Sequence, residues 1–305
     1  RDELVVQPEL HRWFDVQRVA IRRAERSQKI KRARAPLAEM EVGSLDDPRR
    51  FVASDQAAVC GLYKPIDDSC RLAIVRRLLA HGADRILLGF PQALRGKHPK
   101  LVEWVGNPLR DPIVSLPPPA ARFAGRTGPL RLLVVGGSLG AQALNERVPA
   151  ALALIDPARR PQVVHQSGER HLPALRDAYA KHGVAADCVA FIEDMAARYA
   201  WADFVICRGG ALTISELAAV GLGALVVPLP GAIADEQSAN AQFLVDAGAA
   251  LKEPQDALTP ERLAQLLRDV DRPRALAMAD AAYRQGKRDA AARVADVCLS
   301  LGGRA

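Results

Sequence analysis

An apolar run, Leu132-Leu133-Val134-Val135, delivers the chain into Gly136-Gly137-Ser138-Leu139-Gly140-Ala141. Glycines in such a turn permit close backbone approach and unusual dihedrals, and the unbonded amides at the start of a following helix attract phosphate oxygens. The plainer reading is a turn whose glycines serve tight packing. A second run ends in Cys207-Arg208-Gly209-Gly210 and continues Ala211-Leu212-Thr213-Ile214-Ser215-Glu216. Glu216, one turn into a helix, could accept from both hydroxyls of a ribose. It could equally be the capping-box partner of Thr213 or a charge complementing the helix dipole. In the third stretch, Pro228 to Asn240, the side chains of Asp235, Gln237 and Asn240 could read sugar hydroxyls, or Asp235 could simply cap a helix. The fourth is His165-Gln166-Ser167-Gly168, where a lone histidine reads as structural rather than catalytic.

These stretches matter together because of the elements that carry them. From Pro129 onward short apolar runs alternate with longer helical segments, the signature of βα units building a parallel sheet. Strands are expected at Leu132–Val135, Gln162–His165, Cys188–Ile192, Asp203–Cys207 and Ala224–Pro228. Helices are expected near Ala141–Leu154, Glu169–Lys181, Met195–Trp201, Thr213–Val220 and Glu236–Ala247. Thr259-Pro260-Glu261 is a helix start, with a capping hydroxyl and a proline where no amide donor is needed. A last helix is expected over Arg274–Leu299. Three of the turns then fall at the carboxyl edge of one sheet, two of them with open helix N-termini, as a nucleotide diphosphate requires.

The composition sets the outer bounds. In 305 residues, 49% hydrophobic and 25% charged content describes a globular chain long enough for two domains, and excludes collagen-like, disulfide-scaffold and wholly disordered classes. Cys60, Cys70, Cys188, Cys207 and Cys298 form no Cys-x-x-Cys pair, so free thiols in a reducing compartment are expected. No uncharged stretch approaches the roughly 18–20 residues of a membrane span. The opening Arg1-Asp2-Glu3 is neither a leader nor a methionine start, which leaves a fragment or a rearranged product open. Residues 1–100 hold 20 Lys/Arg against 13 Asp/Glu, while the remainder balances 22 against 22, so the first third carries the whole net charge of +7. Arg22–Arg34 alone holds seven basic residues and one acid. Such a block suits nucleic acid, an anionic membrane surface or a solvated helix.

In their order the motifs closely resemble the bacterial MurG family of peptidoglycan transferases. They are Val105-Gly106-Asn107-Pro108-Leu109-Arg110, Gly136 to Ala141, His165 to Gly168, Phe191-Ile192-Glu193-Asp194-Met195, Tyr199-Ala200-Trp201-Ala202-Asp203, Arg208 to Glu216, and Asp235-Glu236-Gln237-Ser238-Ala239-Asn240-Ala241. The match runs from about Leu78 to the end of the chain. The resemblance implies an α/β chain of GT-B architecture, two Rossmann-like domains of which the C-terminal one is complete and the N-terminal one truncated or remodelled. The organisation it implies is 1–114 for a divergent acceptor-side region, 115–129 for a Pro-rich linker, 130–285 for the UDP-GlcNAc domain and 286–305 for a C-terminal helix. The reaction implied is transfer of N-acetylglucosamine, with inversion, from UDP-GlcNAc to undecaprenyl-diphosphate-MurNAc-pentapeptide.

Neither a metal nor another cofactor is implied, and the expected partners are UDP-GlcNAc, the lipid-linked acceptor and the cytoplasmic face of the inner membrane, where the chain is peripheral. Carried over by position, Arg110 and Ser138 hold the diphosphate and Ile192 meets the uracil through its backbone. Ala211, Leu212, Thr213, Ile214, Ser215 and Glu216 form the nucleotide loop, with Glu216 on the ribose, and Gln237 meets the GlcNAc hydroxyls.

The departures lie mostly in the first third. The family's Gly-Gly-Thr-Gly-Gly-His turn, which supplies the acceptor-side diphosphate site and a proposed base, is absent from these residues. Its His-Glu-Gln-Asn segment corresponds to Ser54-Asp55-Gln56-Ala57, Tyr63–Val75 reads as an insertion, and residues 1–53 match nothing. No catalytic base is assigned; His11, His81, His98, Asp55 and Asp67 are candidates only as titratable groups. Further along, Gly223 and Gly231 replace a proline and a larger side chain. Two other readings stand beside the enzyme: a non-catalytic or split UDP-sugar-binding module, and, last, a nucleic-acid role for the basic block. That block has no accompanying motif and few aromatics for base stacking, so no nucleic-acid partner is expected.

Overall fold

The computed structural model describes residues 50–54, 83–93, 102–137, 140–231 and 235–302. Outside them lie the basic block Arg22–Arg34, Asp55–Ala57 of the Ser54–Ala57 segment, Tyr63–Val75, Ser138, and His11, His81, His98 and Asp67. The chain divides into two units, one formed by Arg1–Arg110 with Arg288–Ala305 and the other by Asp111–Lys287.

The first unit contains a parallel three-stranded sheet, β1 (Arg50–Ser54), β2 (Ala83–Leu88) and β3 (Val102–Trp104), in that order. The apolar side chains of Ile86, Leu87 and Leu88 are buried. Strand β3 leads into Val105–Arg110, where the amides of Val105 and Gly106 both donate to the Leu88 carbonyl, at 3.1 and 3.0 Å.

The second unit opens with two short helices, α1 (Asp111–Val114) and α2 (Pro119–Phe123). The chain then alternates: β4 (Arg131–Val135), α3 (Gln142–Ala153), β5 (Gln162–Gln166), α4 (Leu172–Lys181), β6 (Asp187–Val189) and α5 (Met195–Trp201). It continues with β7 (Phe204–Cys207), α6 (Ala211–Val220), β8 (Gly223–Val226), α7 (Glu236–Asp246), β9 (Ala250–Lys252), α8 (Pro260–Arg268) and α9 (Arg272–Gln285). All six strands pair in parallel, in the order β6-β5-β4-β7-β8-β9. The chain winds outward from β4 in one direction, returns through α5, and winds outward from β7 in the other. The crevice between the carboxyl ends of β4 and β7 is therefore the topological switch point where doubly wound folds bind ligands.

The central strands are apolar runs, not alternations, because both faces are covered. Leu132, Leu133 and Val134 of β4 and Val205 and Ile206 of β7 are wholly buried. Helix α3 packs on α4 and α8, and α6 on α7 and α9. Thr259 begins α8 as expected, its hydroxyl accepting from the Arg262 amide at 3.2 Å.

Three differences from the sequence reading have local causes. The expected helix over Arg274–Leu299 is two helices, α9 and α10 (Ala290–Gly302), the second belonging to the first unit. Gly286 takes an extended conformation at the break (φ −69°, ψ 126°), where a glycine loses helix propensity most. The Pro-rich stretch 115–129 carries α2 and belongs to the second unit, with Pro119 and Phe123 buried. Its Arg122 and Arg126 find carbonyls there, as described below. Strand β9 went unexpected because three residues, Ala250-Leu251-Lys252, make too short an edge run to signal itself.

Gly223 has a tight neighbour: a Cβ there would meet Met278 Cβ at 2.8 Å. Among the described residues, no helix is long and apolar enough to cross a membrane.

Candidate functional site

At the carboxyl end of β4, Gly136 and Gly137 are bound to the neighbouring β5 exit. Gln166 is the tie: its Oε1 accepts from the Gly136 amide at 3.1 Å while its Nε2 donates to the carbonyls of Gly137 at 2.9 Å and Ala190 at 3.0 Å. Three strand exits are thus joined by one buried carboxamide. Gly140 has φ +76°, and a Cβ on it would lie 2.0 Å from the Ser167 carbonyl oxygen, so the close approach of these two loops demands glycine there. The helix that follows, α3, has Ala141 at its N-cap position and no side-chain cap. Its first amides therefore stay available at the switch point, as a phosphate site needs.

The β7 exit repeats the device. Helix α6 begins directly after Gly210, again without a side-chain cap. Gly209 lies so close to the start of α7 that a Cβ would fall 2.3 Å from the Gln237 carbonyl oxygen. Gln237 Oε1 accepts from the amides of Gly209 at 3.1 Å and Leu229 at 2.9 Å, and Asn240 Nδ2 donates to the Gly209 carbonyl at 3.1 Å. Among the expected sugar readers, then, Asn240 is buried and committed to backbone. Gln237 has its oxygen committed, leaving the two Nε2 hydrogens as its donors. Asp235 is exposed at φ +55° and does not cap α7.

Glu216 lies in the second turn of α6, since the helix begins at Ala211 and not at Thr213. Thr213 is already inside the first turn, which removes the capping-box reading. Instead the hydroxyl of Tyr199, a wholly buried side chain of α5, donates to Glu216 Oε2 at 2.9 Å. Ile192 follows β6 in the loop 190–194, its side chain buried. The strand itself ends at Val189, earlier than expected, because the carbonyls of Val189 and Ala190 accept from the amides of Ser167 and Gly168 in the β5 exit. Of the remaining expected contacts, Arg110 belongs to the first unit and Ser138 lies outside the described residues.

His165 is structural, as expected. Its ring is wholly buried in β5, Nδ1 lies 2.9 Å from the Tyr179 hydroxyl, and burial pushes its pKa down to about 3.

Two arginines that the sequence does not single out also lie at this edge. Arg208 donates to the carbonyls of Val227 at 3.1 Å and Pro228 at 3.3 Å and to Gln255 Oε1 at 2.7 Å, and Arg147 of α3 donates to the Gln255 carbonyl. Burial, and then the neighbouring Arg147 charge, lower the Arg208 pKa. Nothing in the spacing of Arg147 and Arg208 announces that both reach one residue of a later loop.

A family model describing the glycosyltransferase family 28 C-terminal domain matches residues 131–294. A UDP-N-acetylglucosamine–N-acetylmuramyl-(pentapeptide) pyrophosphoryl-undecaprenol N-acetylglucosamine transferase of Dechloromonas aromatica is 49% identical over 252 residues, covering 82% of this chain and 70% of that protein. The transferase of the same name from Bordetella petrii is 53% identical over 250 residues, covering 81% and 68%. The crystal structure of Acinetobacter baumannii MurG superposes with a TM-score of 0.67 at 36% identity, covering 74% of this chain and 62% of that one. The family 28 match across the six-stranded unit and these two relatives establish that the chain is of the GT-B fold class and belongs to the MurG family of glycosyltransferases.

Proposed function

We propose that the chain transfers N-acetylglucosamine from UDP-GlcNAc to undecaprenyl-diphosphate-MurNAc-pentapeptide, with inversion, in peptidoglycan synthesis. The observation that carries this is the pair of uncapped helix starts, α3 and α6, on the two strands that flank the switch point, with Glu216 held in the second of these helices. Helix N-termini favour the diphosphate of the donor and, more strongly, the negative charge that grows on it as UDP leaves. With Arg110 and Ser138 adding to that stabilisation, no metal is needed. Ile192 offers its backbone to the uracil, Ala211–Glu216 enclose the nucleoside with Glu216 on the ribose, and Gln237 turns its Nε2 to the GlcNAc hydroxyls. The acceptor hydroxyl attacks the anomeric carbon opposite UDP and loses its proton to a base yet to be identified. The C1–O bond breaks and its electron pair leaves on the β-phosphate.

A lipid-linked acceptor places the chain at a membrane surface, on the cytoplasmic face of the inner membrane. The basic excess of residues 1–100 suits that place, at about 1 kcal/mol for each basic residue near an anionic surface. UDP release that depends on a soluble analogue of the acceptor tests the whole reading. Glu216→Ala tests the donor site: calorimetry is expected to show UDP weakened more than pyrophosphate. Equal loss would make Glu216 purely structural.

A further inference from the structure

Tyr199 is wholly buried, yet its hydroxyl has to find a partner, and it donates to Glu216 Oε2 at 2.9 Å. The two residues come from different helices, α5 and α6, and the structure holds those helices in fixed relation. Asp194 caps α5, its side chain accepting from the Ala197 amide at 2.9 Å. Helix α1, with Ile113 buried, packs against both α5 and α6. At their far ends Arg122 bridges them, donating to the carbonyls of Tyr199 at 3.1 Å, Val220 at 2.7 Å and Gly221. A cation on the last carbonyls of two helices also complements both dipoles. Arg126 adds bonds to the carbonyls of Ala200 and Ala202, just beyond Tyr199.

We propose that Tyr199 is a positioning residue for nucleotide recognition: its hydroxyl fixes the rotamer of Glu216, so that the carboxylate meets the ribose diol already oriented. The proposal rests on the reading of Glu216 as the ribose contact. A carboxylate at the end of three rotatable bonds has a broad terminal torsion. Anchoring one oxygen on a rigid phenol removes that freedom before the ligand arrives. The Pro-rich segment has a function in this picture, since Arg122 and Arg126 set the helix carrying the donor against the helix carrying the acceptor.

The test uses Tyr199→Phe in the full chain, which keeps the buried ring and removes only the hydroxyl, with UDP and 2′,3′-dideoxy-UDP as probes in calorimetry. Wild type should prefer UDP, and Tyr199→Phe should cut that preference about three- to tenfold, the cost of immobilising one side chain on binding. Affinity for the dideoxy nucleotide should hold. Equal weakening of both nucleotides, or an unchanged preference, overturns the proposal.

Glu216→Ala separates the two layers of the argument. If it abolishes the preference while Tyr199→Phe leaves it intact, only the positioning role is lost. If Glu216→Ala retains the preference, the ribose assignment itself fails. On the Glu216→Ala background, where Tyr199→Phe removes the hydroxyl left without its acceptor, that further change should leave the preference where Glu216→Ala put it; an additional drop there also overturns the proposal.

Discussion

Replacing Gly209 by alanine tests the contact on which the β7 exit and the α7 start both depend. The new methyl carbon would lie 2.3 Å from the Gln237 carbonyl oxygen and 2.9 Å from its carbonyl carbon, where ordinary contact begins at 3.4 Å. The atoms met are backbone, so no side-chain rotation relieves the clash, and the two segments must part by about 1 Å. Two hydrogen bonds span the same gap, Gly209 N to Gln237 Oε1 and Asn240 Nδ2 to Gly209 O, each 3.1 Å long. Lengthened by that amount they no longer count as hydrogen bonds. Two lost bonds at about 1 kcal/mol each and overpacking at about 2 kcal/mol sum to roughly 4 kcal/mol. For a unit of this size that lowers the melting midpoint by roughly 8–16 °C. Gln237 moves with the α7 start, so UDP-GlcNAc should weaken about tenfold more than UDP, the loss of one sugar hydrogen bond. Thermal melts and calorimetry well below the midpoint check both halves. A midpoint unchanged within about 2 °C would refute the steric argument, and an equal loss for the two ligands would refute the role of Gln237.

Two further outcomes follow from buried ionisable groups. Asp203 is wholly buried between Arg126 and Arg272 and accepts from the Arg131 amide at 2.9 Å. Asp203→Asn keeps that acceptor but strands two cations, and should cost about 3 kcal/mol in urea unfolding while leaving UDP affinity unchanged, because the residue sits at the amino edge of β7; a loss under about 1 kcal/mol contradicts this account. His165, held neutral with a pKa of about 3 against 6.5 unfolded, contributes stability that is complete above pH 6.5 and declines as the pH falls toward 3, because only the unfolded chain takes up the proton. Between pH 7 and pH 5 that loss is about 2 kcal/mol, and a His165→Leu variant with the same pH dependence as wild type would show that another group is responsible.

How much was legible in the sequence divides along a physical line. Runs such as Leu132–Val135 and Phe204–Cys207 are apolar without alternation, so they declare central parallel strands, and the glycines after them declare the turns. The binding edge followed from topology alone. The partners of polar side chains at that edge did not. Asn240 and the oxygen of Gln237 look from sequence like sugar readers, yet they secure the backbone of Gly209 and Leu229. Glu216 passed for a capping residue only because the helix start was set two residues late. Tyr199, which donates to it, is 17 residues away on another helix, a separation to which no local pattern is sensitive. Arg122 and Arg126 were hidden for the opposite reason: prolines around them mark a linker, while their hydrogen bonds run to α5, α6 and β7.

The balanced charge of residues 101–305 conceals a polarity between the two edges of the six-stranded sheet. At the amino edge the cations are matched: Arg126 and Arg272 share Asp203, and Arg122 lies over the negative ends of two helices. At the carboxyl edge Arg147 and Arg208 are bound only to carbonyls and a carboxamide, with no carboxylate partner among the described residues. Two uncapped helix N-termini add partial positive charge on the same side. Arg147 and Arg208 are therefore held by neutral partners alone, and Glu216, withdrawn to the second turn and tied to a phenol, does not pair with either. An anionic ligand completes that balance, and a ligand with a vicinal diol beside its phosphates also supplies the hydroxyls that one oriented carboxylate can accept. A nucleoside diphosphate meets both conditions, whereas a bare phosphate meets the first and leaves Glu216 facing like charge.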